Sequence, residues 1–309
     1  VKLDILHETV YDYDFPVDIT QHLAHLKPND FTGQQVLSAR LTVSPEPDYF
    51  EDRTDIFGNI STFFSIESRH TRLKTVAKSV IETDHDNTYV QNDLISPSWE
   101  DVRNFYRYQA HQPIAPATDF IFSSPMILFD EAFVQFAKDC FSVKMPVLMA
   151  AVALMQKIHH ELQYETASTD VNTLAIDSLK NRKGVCQDFA HIMISCLRML
   201  GLPAQYVSGY MLTKPPPGKP RLIGSDASHA WIATYIPAVN GFPEAGWFHF
   251  DPTNNRWGRH APGEEYVILS RGRDYADVSP IRGVIHGGGN HHLSVAVTVL
   301  PFNEKLLFV

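Results

Sequence analysis

Apolar and polar residues alternate from Leu3 to about Thr83, apolar spacing turns helical beyond Ser96-Pro97-Ser98, and strand spacing returns from Ala204. A chain whose apolar period changes twice cannot bury itself as one sandwich or one bundle, because a pleated face and a helical stripe need different partners. In the first stretch, Leu37-Ser38-Ala39-Arg40-Leu41-Thr42-Val43 alternates cleanly. Ile60-Ser61-Thr62-Phe63-Phe64-Ser65-Ile66 is β-branched and aromatic, and Asp55-Ile56-Phe57-Gly58-Asn59 supplies turn chemistry before it. We expect a β-rich domain over 1–95, built as a sandwich or a pair of packed sheets. Asn59-Ile60-Ser61 matches a glycosylation sequon, and a lone match carries no argument.

Helical signals fill the middle. Ser98 is placed to cap a helix whose apolar face is Trp99, Val102, Phe105 and Tyr106. Phe133, Phe136, Ala137 and Cys140 share a stripe, and Pro146 starts a long helix reaching Leu162. Thr173 is placed to cap a short helix carrying Leu174 and Leu179. The next helix opens at Cys186 with an apolar stripe of Phe189, Met193, Leu197 and Leu200, and Gly201-Leu202-Pro203 stops it. Strands follow from Ala204 to Leu212, Ala230 to Ile236 and Gly246 to Asp251, with Lys214 to Pro220 as a stiff loop or flap. The expected fold class is α+β, with helices on an antiparallel sheet over 96–285. The alternating Leu293 to Val299 lies in a final segment, 286–309, expected to complete a sheet.

The chain has 309 residues and a formal net charge of −9, which opposes any role in holding DNA or an anionic membrane. No apolar run is long enough to span a bilayer, and Val1-Lys2-Leu3-Asp4-Ile5 does not open like a signal peptide. The three cysteines, Cys140, Cys186 and Cys196, make neither a disulfide framework nor a C-x-x-C pair. A cytoplasmic, reducing location is expected.

By residue type alone each cysteine reads as a small buried hydrophobe. Position separates them. Gly184-Val185-Cys186-Gln187-Asp188-Phe189-Ala190 puts Cys186 in the first helical turn, where free N–H groups and the helix dipole favour a thiolate. Its own N–H is available to a developing oxyanion. Cys196 lies about 15 Å further along the same helix and cannot share its site. A base must reach the thiol and be held in one tautomer. Among 15 histidines, His229 begins a strand in Ser228-His229-Ala230-Trp231, and Asp251 ends the next in Phe250-Asp251-Pro252-Thr253-Asn254. If those strands pair, imidazole and carboxylate meet at the sheet rim. Otherwise His229 is a surface residue and Asp251 a turn cap.

These three blocks, in this order, resemble those of the transglutaminase-like superfamily. More closely, the chain is similar to bacterial transglutaminase-like proteins with a β-rich N-terminal domain. Arg198-Met199-Leu200-Gly201-Leu202-Pro203-Ala204, Val207-Ser208-Gly209-Tyr210 and the stretch from Asp277 to Val299 extend the likeness over nearly the whole chain. The resemblance implies a papain-like core in which Cys186 is nucleophile, His229 base and acid, and Asp251 orienter. It also implies acyl transfer from an amide through a thioester, of transglutaminase or glutamine deamidase type, on a protein or peptide. A further oxyanion donor is expected from Gln163 or Tyr164, with Gln187 adjacent. Asp188 reads as a first-turn acid complementing the dipole, and Trp231 as a shield for the imidazole or a wall of the cleft.

Other chemistries find less support. His286-Gly287-Gly288-Gly289 is similar to a lipase oxyanion loop, but no G-x-S-x-G elbow accompanies it. His286, His291, His292 and the pair His159-His160 have no metal-binding frame and are expected in loops or facing solvent. No P-loop or dinucleotide motif is present, so neither a cofactor nor a metal is expected. A cysteine peptidase or amidase of the same fold, and a binding or scaffold protein without turnover, are the competing functions.

Overall fold

A computed structural model of the chain describes residues 1–84, 96–108, 110–111, 114–115, 117–166, 173–213 and 228–302. The expected flap at 214–220 lies outside them. The first five strands are β1 (Lys2–Lys27), β2 (Gln34–Ser44), β3 (Tyr49–Thr54), β4 (Ile60–Ile66) and β5 (His70–Thr83). They form one sheet. β1 is long enough to serve twice: residues 2–12 run beside β5, and residues 20–27 run beside β4. The β1–β5 register breaks between Asp12 and Val17, where Pro16 lacks the N–H that a ladder needs. The sheet bends there and closes on itself around Leu41, Val43, Phe64, Ile66 and Leu73. The packed sheets expected from the sequence are therefore two halves of a single sheet.

The middle of the chain supplies α1 (Trp99–Phe105), α2 (Glu131–Ala137), α3 (Val147–Glu161), the short β6 (Gln163–Tyr164), α4 (Ala175–Asn181), β7 (Lys183–Gly184) and α5 (Cys186–Met199). Ser98 caps α1 by accepting from the Asp101 N–H. At α4, Leu174 rather than Thr173 takes the N-cap position. Phe133, Phe136, Ala137 and Cys140 all enter the main core. α5 differs from its expected one-sided stripe: every residue from Gln187 to Arg198 is buried. The helix is enclosed by strands on one side and by α2, α3 and α4 on the other, so no face is left for solvent. Its one arginine, Arg198, is consequently buried. Its guanidinium donates to the carbonyls of Ala204, Phe122 and Arg273 and to the Ser124 hydroxyl.

The second sheet contains β8 (Ala204–Met211), β9 (Ser228–Ile236), β10 (Gly246–Asp251), β11 (Arg256–Gly258) and β12 (Tyr266–Gly272), in the order β11-β10-β9-β8-β12, all antiparallel. After the short helix α6 (Tyr275–Val278), β13 (Ile281–Gly287) and β14 (His291–Pro301) return to the N-terminal sheet. They pair with the second and first halves of β1.

The two sheets meet through Leu3, Ile5, Val297 and Val299 on one side and Tyr210, Val267 and Leu269 on the other. Polar contacts fix the register. His7 Nδ1 is 2.9 Å from the Tyr210 hydroxyl. The outer edge of β12 receives two side-chain amides in place of another strand. Gln34 donates to the Ile268 carbonyl (2.8 Å) and accepts from the Ile268 N–H (2.7 Å). Asn59 does the same at Arg271, at 2.7 and 2.9 Å. The outward-facing residues are three apart because β12 bulges between Ile268 and Ser270. Asn59 is 1% exposed with its amide engaged at both ends, so its sequon is structurally closed.

Candidate active site

Cys186 is the first residue of α5, half-buried, while Cys140 and Cys196 are buried. Burial pushes both of the latter thiols up, and the Cys196 thiol lies 3.4 Å from the Phe133 carbonyl. The turn before Cys186 is held from below by Asp188. One of its carboxylate oxygens accepts from the Val185 N–H at 2.8 Å and the other from the Ser178 hydroxyl at 3.0 Å. Asp188 is thus the acid of the first turn of α5, buried and capping its start. A Cβ on Gly184 would fall 2.7 Å from that carboxylate, which accounts for a glycine at this position.

β9 and β10 pair directly, with Phe250 opposite Ile232, and so bring His229 and Asp251 together. His229 Nε2 is 2.7 Å from Asp251 Oδ2, and the Cys186 side chain is near enough to act on the charge of the ring. Desolvation works against a charge on His229. The Asp251 carboxylate and its hydrogen bond, then Cys186, nevertheless carry the imidazole up to about 10. Burial alone would raise Asp251, but His229, Asn254 and Tyr266 together bring it below the usual carboxylate range. This electrostatic pattern suits an imidazolium anchored by a buried carboxylate.

Asp251 is fully buried and both its oxygens are shared among several donors. Oδ1 accepts from the N–H groups of Thr253 (2.9 Å) and Asn254 (3.2 Å). Oδ2 accepts, besides His229, from the Asn254 amide (2.7 Å) and the Tyr266 hydroxyl (2.8 Å). The turn itself is held by His159, whose Nδ1 lies 3.2 and 3.1 Å from the Pro252 and Thr253 carbonyls. His159, expected to face solvent, is instead a brace for this turn.

The other expected residues are distributed around this line. Tyr164, half exposed on β6, rests its ring edge-on against Phe189 with centroids 6.2 Å apart. Burial, then the nearby Cys186 and Asp251, raise its hydroxyl. Gln163 is exposed, and its backbone N–H donates to the Arg182 carbonyl at 2.8 Å beside the β6–β7 ladder. Gln187, next to the thiol on α5, is 9% exposed. Trp231 is completely buried and stacked on His229, with centroids 6.1 Å apart and planes at 27°. Its indole N–H donates to His249 Nδ1 at 3.0 Å.

Two residues of this site do not stand out in the sequence. Tyr266 reaches Asp251 from β12, a contact that local periodicity cannot show. Gly209 stands opposite His229 in the β8–β9 ladder, and a Cβ there would lie 2.5 Å from the Trp231 ring. An isolated glycine inside a strand pattern is an available signal of such a close approach.

Comparison with known proteins places this geometry in a family. Residues 3–82 match the bacterial transglutaminase-like N-terminal region, and residues 134–252, which span Cys186, His229 and Asp251, match the transglutaminase-like superfamily. An uncharacterized protein of Mycobacterium tuberculosis (strain ATCC 25618 / H37Rv) is 35% identical over 306 residues, covering 98% of this chain and 94% of that one. A protein-glutamine gamma-glutamyltransferase of Pseudomonas aeruginosa is 31% identical over 105 residues, 33% of this chain and 15% of that one. The crystal structure of a proposed cysteine protease from Cytophaga hutchinsonii shares the fold, with a TM-score of 0.71 at 21% identity over 99% of this chain and 92% of that one. The chain belongs to the transglutaminase-like superfamily and begins with its bacterial N-terminal region.

Proposed function

We propose that this chain is a cysteine acyl-transfer enzyme acting on amides of proteins or peptides, of transglutaminase or glutamine deamidase type. The observation that carries the proposal is the meeting of Cys186, His229 and Asp251 from α5, β9 and β10, with His229 Nε2 2.7 Å from Asp251 Oδ2 and Cys186 acting on the same ring. In this scheme the Cys186 thiolate attacks the amide carbonyl carbon, and the oxyanion forms beside the N-terminus of α5. As the C–N bond breaks, the His229 imidazolium gives its proton to the departing ammonia or amine, leaving a thioester. His229, now neutral, takes a proton from an incoming amine or water. The new nucleophile displaces the thiolate and the pair is restored. Asp251 keeps the ring in one orientation and balances its charge throughout.

The likeness to a protein-glutamine gamma-glutamyltransferase across the matched 105 residues supports this substrate class. The test is incubation with a glutamine-rich protein, with and without a primary amine, followed by mass spectrometry. Amine incorporation or deamidation is the expected result, lost in Cys186→Ala. Backbone cleavage would replace the proposal with a peptidase, and no reaction on any amide would leave a binding protein.

A further inference from the structure

We propose that Tyr266 is a positioning residue for the catalytic line, and that the N-terminal sheet sets it by holding the outer edge of β12. The proposal rests on the roles given above to Cys186, His229 and Asp251.

Tyr266 starts β12, while Asp251 ends β10, and β8 and β9 lie between them. The phenol crosses that distance to donate to Asp251 Oδ2 at 2.8 Å. It packs edge-on against Trp231, with centroids 5.4 Å apart, and lies 6.1 Å from the His229 ring. Gly209 leaves the room above β8 that the Trp231 ring fills. A side chain this extended is only as well placed as the strand it grows from.

That strand is an edge, and the N-terminal sheet grips it on both sides of Tyr266. Thr83 donates to the Glu264 carbonyl at 2.7 Å, two residues before it. Gln34 pairs both ways with Ile268, two residues after it, and Asn59 both ways with Arg271. All three contacts are made by side chains, so none of them is needed for the ladders of the N-terminal sheet itself. They hold β12.

The charged and titratable groups around Asp251 come from each neighbouring element: His229 on β9, Cys186 on α5, Tyr164 on β6 and Tyr266 on β12. Arg256 of β11 stands beside the Tyr266 hydroxyl. Among them Tyr266 is a neutral donor to the carboxylate, so its loss makes Asp251 hold a proton to higher pH. The carboxylate then supports the imidazolium, and with it the thiolate, only at higher pH.

The experiment measures the rate of Cys186 alkylation by iodoacetamide against pH, alongside thermal unfolding. Tyr266→Phe keeps the ring packing and removes only the donor. It is expected to lower the rate near neutral pH about tenfold, the scale of one hydrogen bond to a charged group, and to move the acid limb upward. Gln34→Met and the milder Thr83→Val are expected to move the limb in the same direction by less, and to add nothing once Tyr266→Phe is present. If Tyr266→Phe does not fold, Thr83→Val carries the same readout. An unchanged profile in every folded variant, with Cys186 still selectively alkylated in the parent, overturns the positioning role and leaves the proposed function intact. Absence of selective alkylation in the parent overturns both.

Discussion

Gly209 and Trp231 compete for one volume above β8: a Cβ on the glycine would sit 2.5 Å from the indole ring and 2.1 Å from the Val267 carbonyl oxygen. Neither neighbour can give way easily, since one is backbone and the other is completely buried. Gly209→Ala is therefore expected to destabilise the protein by about 3 kcal/mol, the upper end for overpacking. Denaturant unfolding measures it, and a midpoint equal to the parent's would contradict the crowding described.

Among the cysteines, an electrophile near neutral pH should label Cys186 ahead of Cys140 and Cys196. Only Cys186 combines partial exposure with an imidazole partner. Peptide mapping after brief labelling checks this, and equal modification of all three would count against an activated thiol. Cys186→Ala should unfold at a temperature close to the parent's while losing turnover.

Stability should peak at about pH 6.5 to 7, around the unfolded histidine value. His7, His22 and His191 are held neutral by burial, at about 4, about 4 and about 3, and burial also lowers His25. A histidine whose folded value lies below about 6.5 contributes stability that is complete above that value and is lost as pH falls through the folded one. His229 has the opposite sign. Its folded value of about 10 lies above the ordinary 6.5, so its contribution is complete below 6.5 and fades as pH rises towards 10. Urea midpoints from about pH 4 to about pH 10 test the shape, and a maximum below about pH 5 would refute it.

At the contact between the sheets, Asn59→Ala removes both partners of the Arg271 backbone and one donor to Asp55. Two backbone groups left unsatisfied at a closed contact cost about 2–4 kcal/mol. Asn59→Asp, the same size, should fare no better, because a carboxylate cannot donate to the Arg271 carbonyl and would face Asp55. Chemical denaturation of both variants decides it; a near-neutral Asn59→Asp would mean the amide is not donating.

What the sequence makes legible is what local pattern carries. The helix start at Cys186, the strands bearing His229 and Asp251, and the cap at Ser98 each announce themselves within a few residues. The rest depends on what the chain meets after folding. The α5 stripe understates the burial of that helix because its far side is covered by α2, α3 and α4, whose packing no local period reveals. Gln34 and Asn59 read as ordinary polar residues near turns, since nothing nearby shows that each will stand in for a strand. The bend in β1 is signalled by Pro16, but two of the strands that pair with it, β13 and β14, lie more than two hundred residues further on.

That last arrangement has a consequence for how the molecule is made. During synthesis β1 emerges long before β14, yet they are neighbours in the ladder. One margin of β1 therefore stays without its partner while the elements between the two are translated, a template for pairing with another nascent chain. The order of manufacture and the order of assembly are decoupled, and the N-terminal sheet is completed only when β13 and β14 arrive.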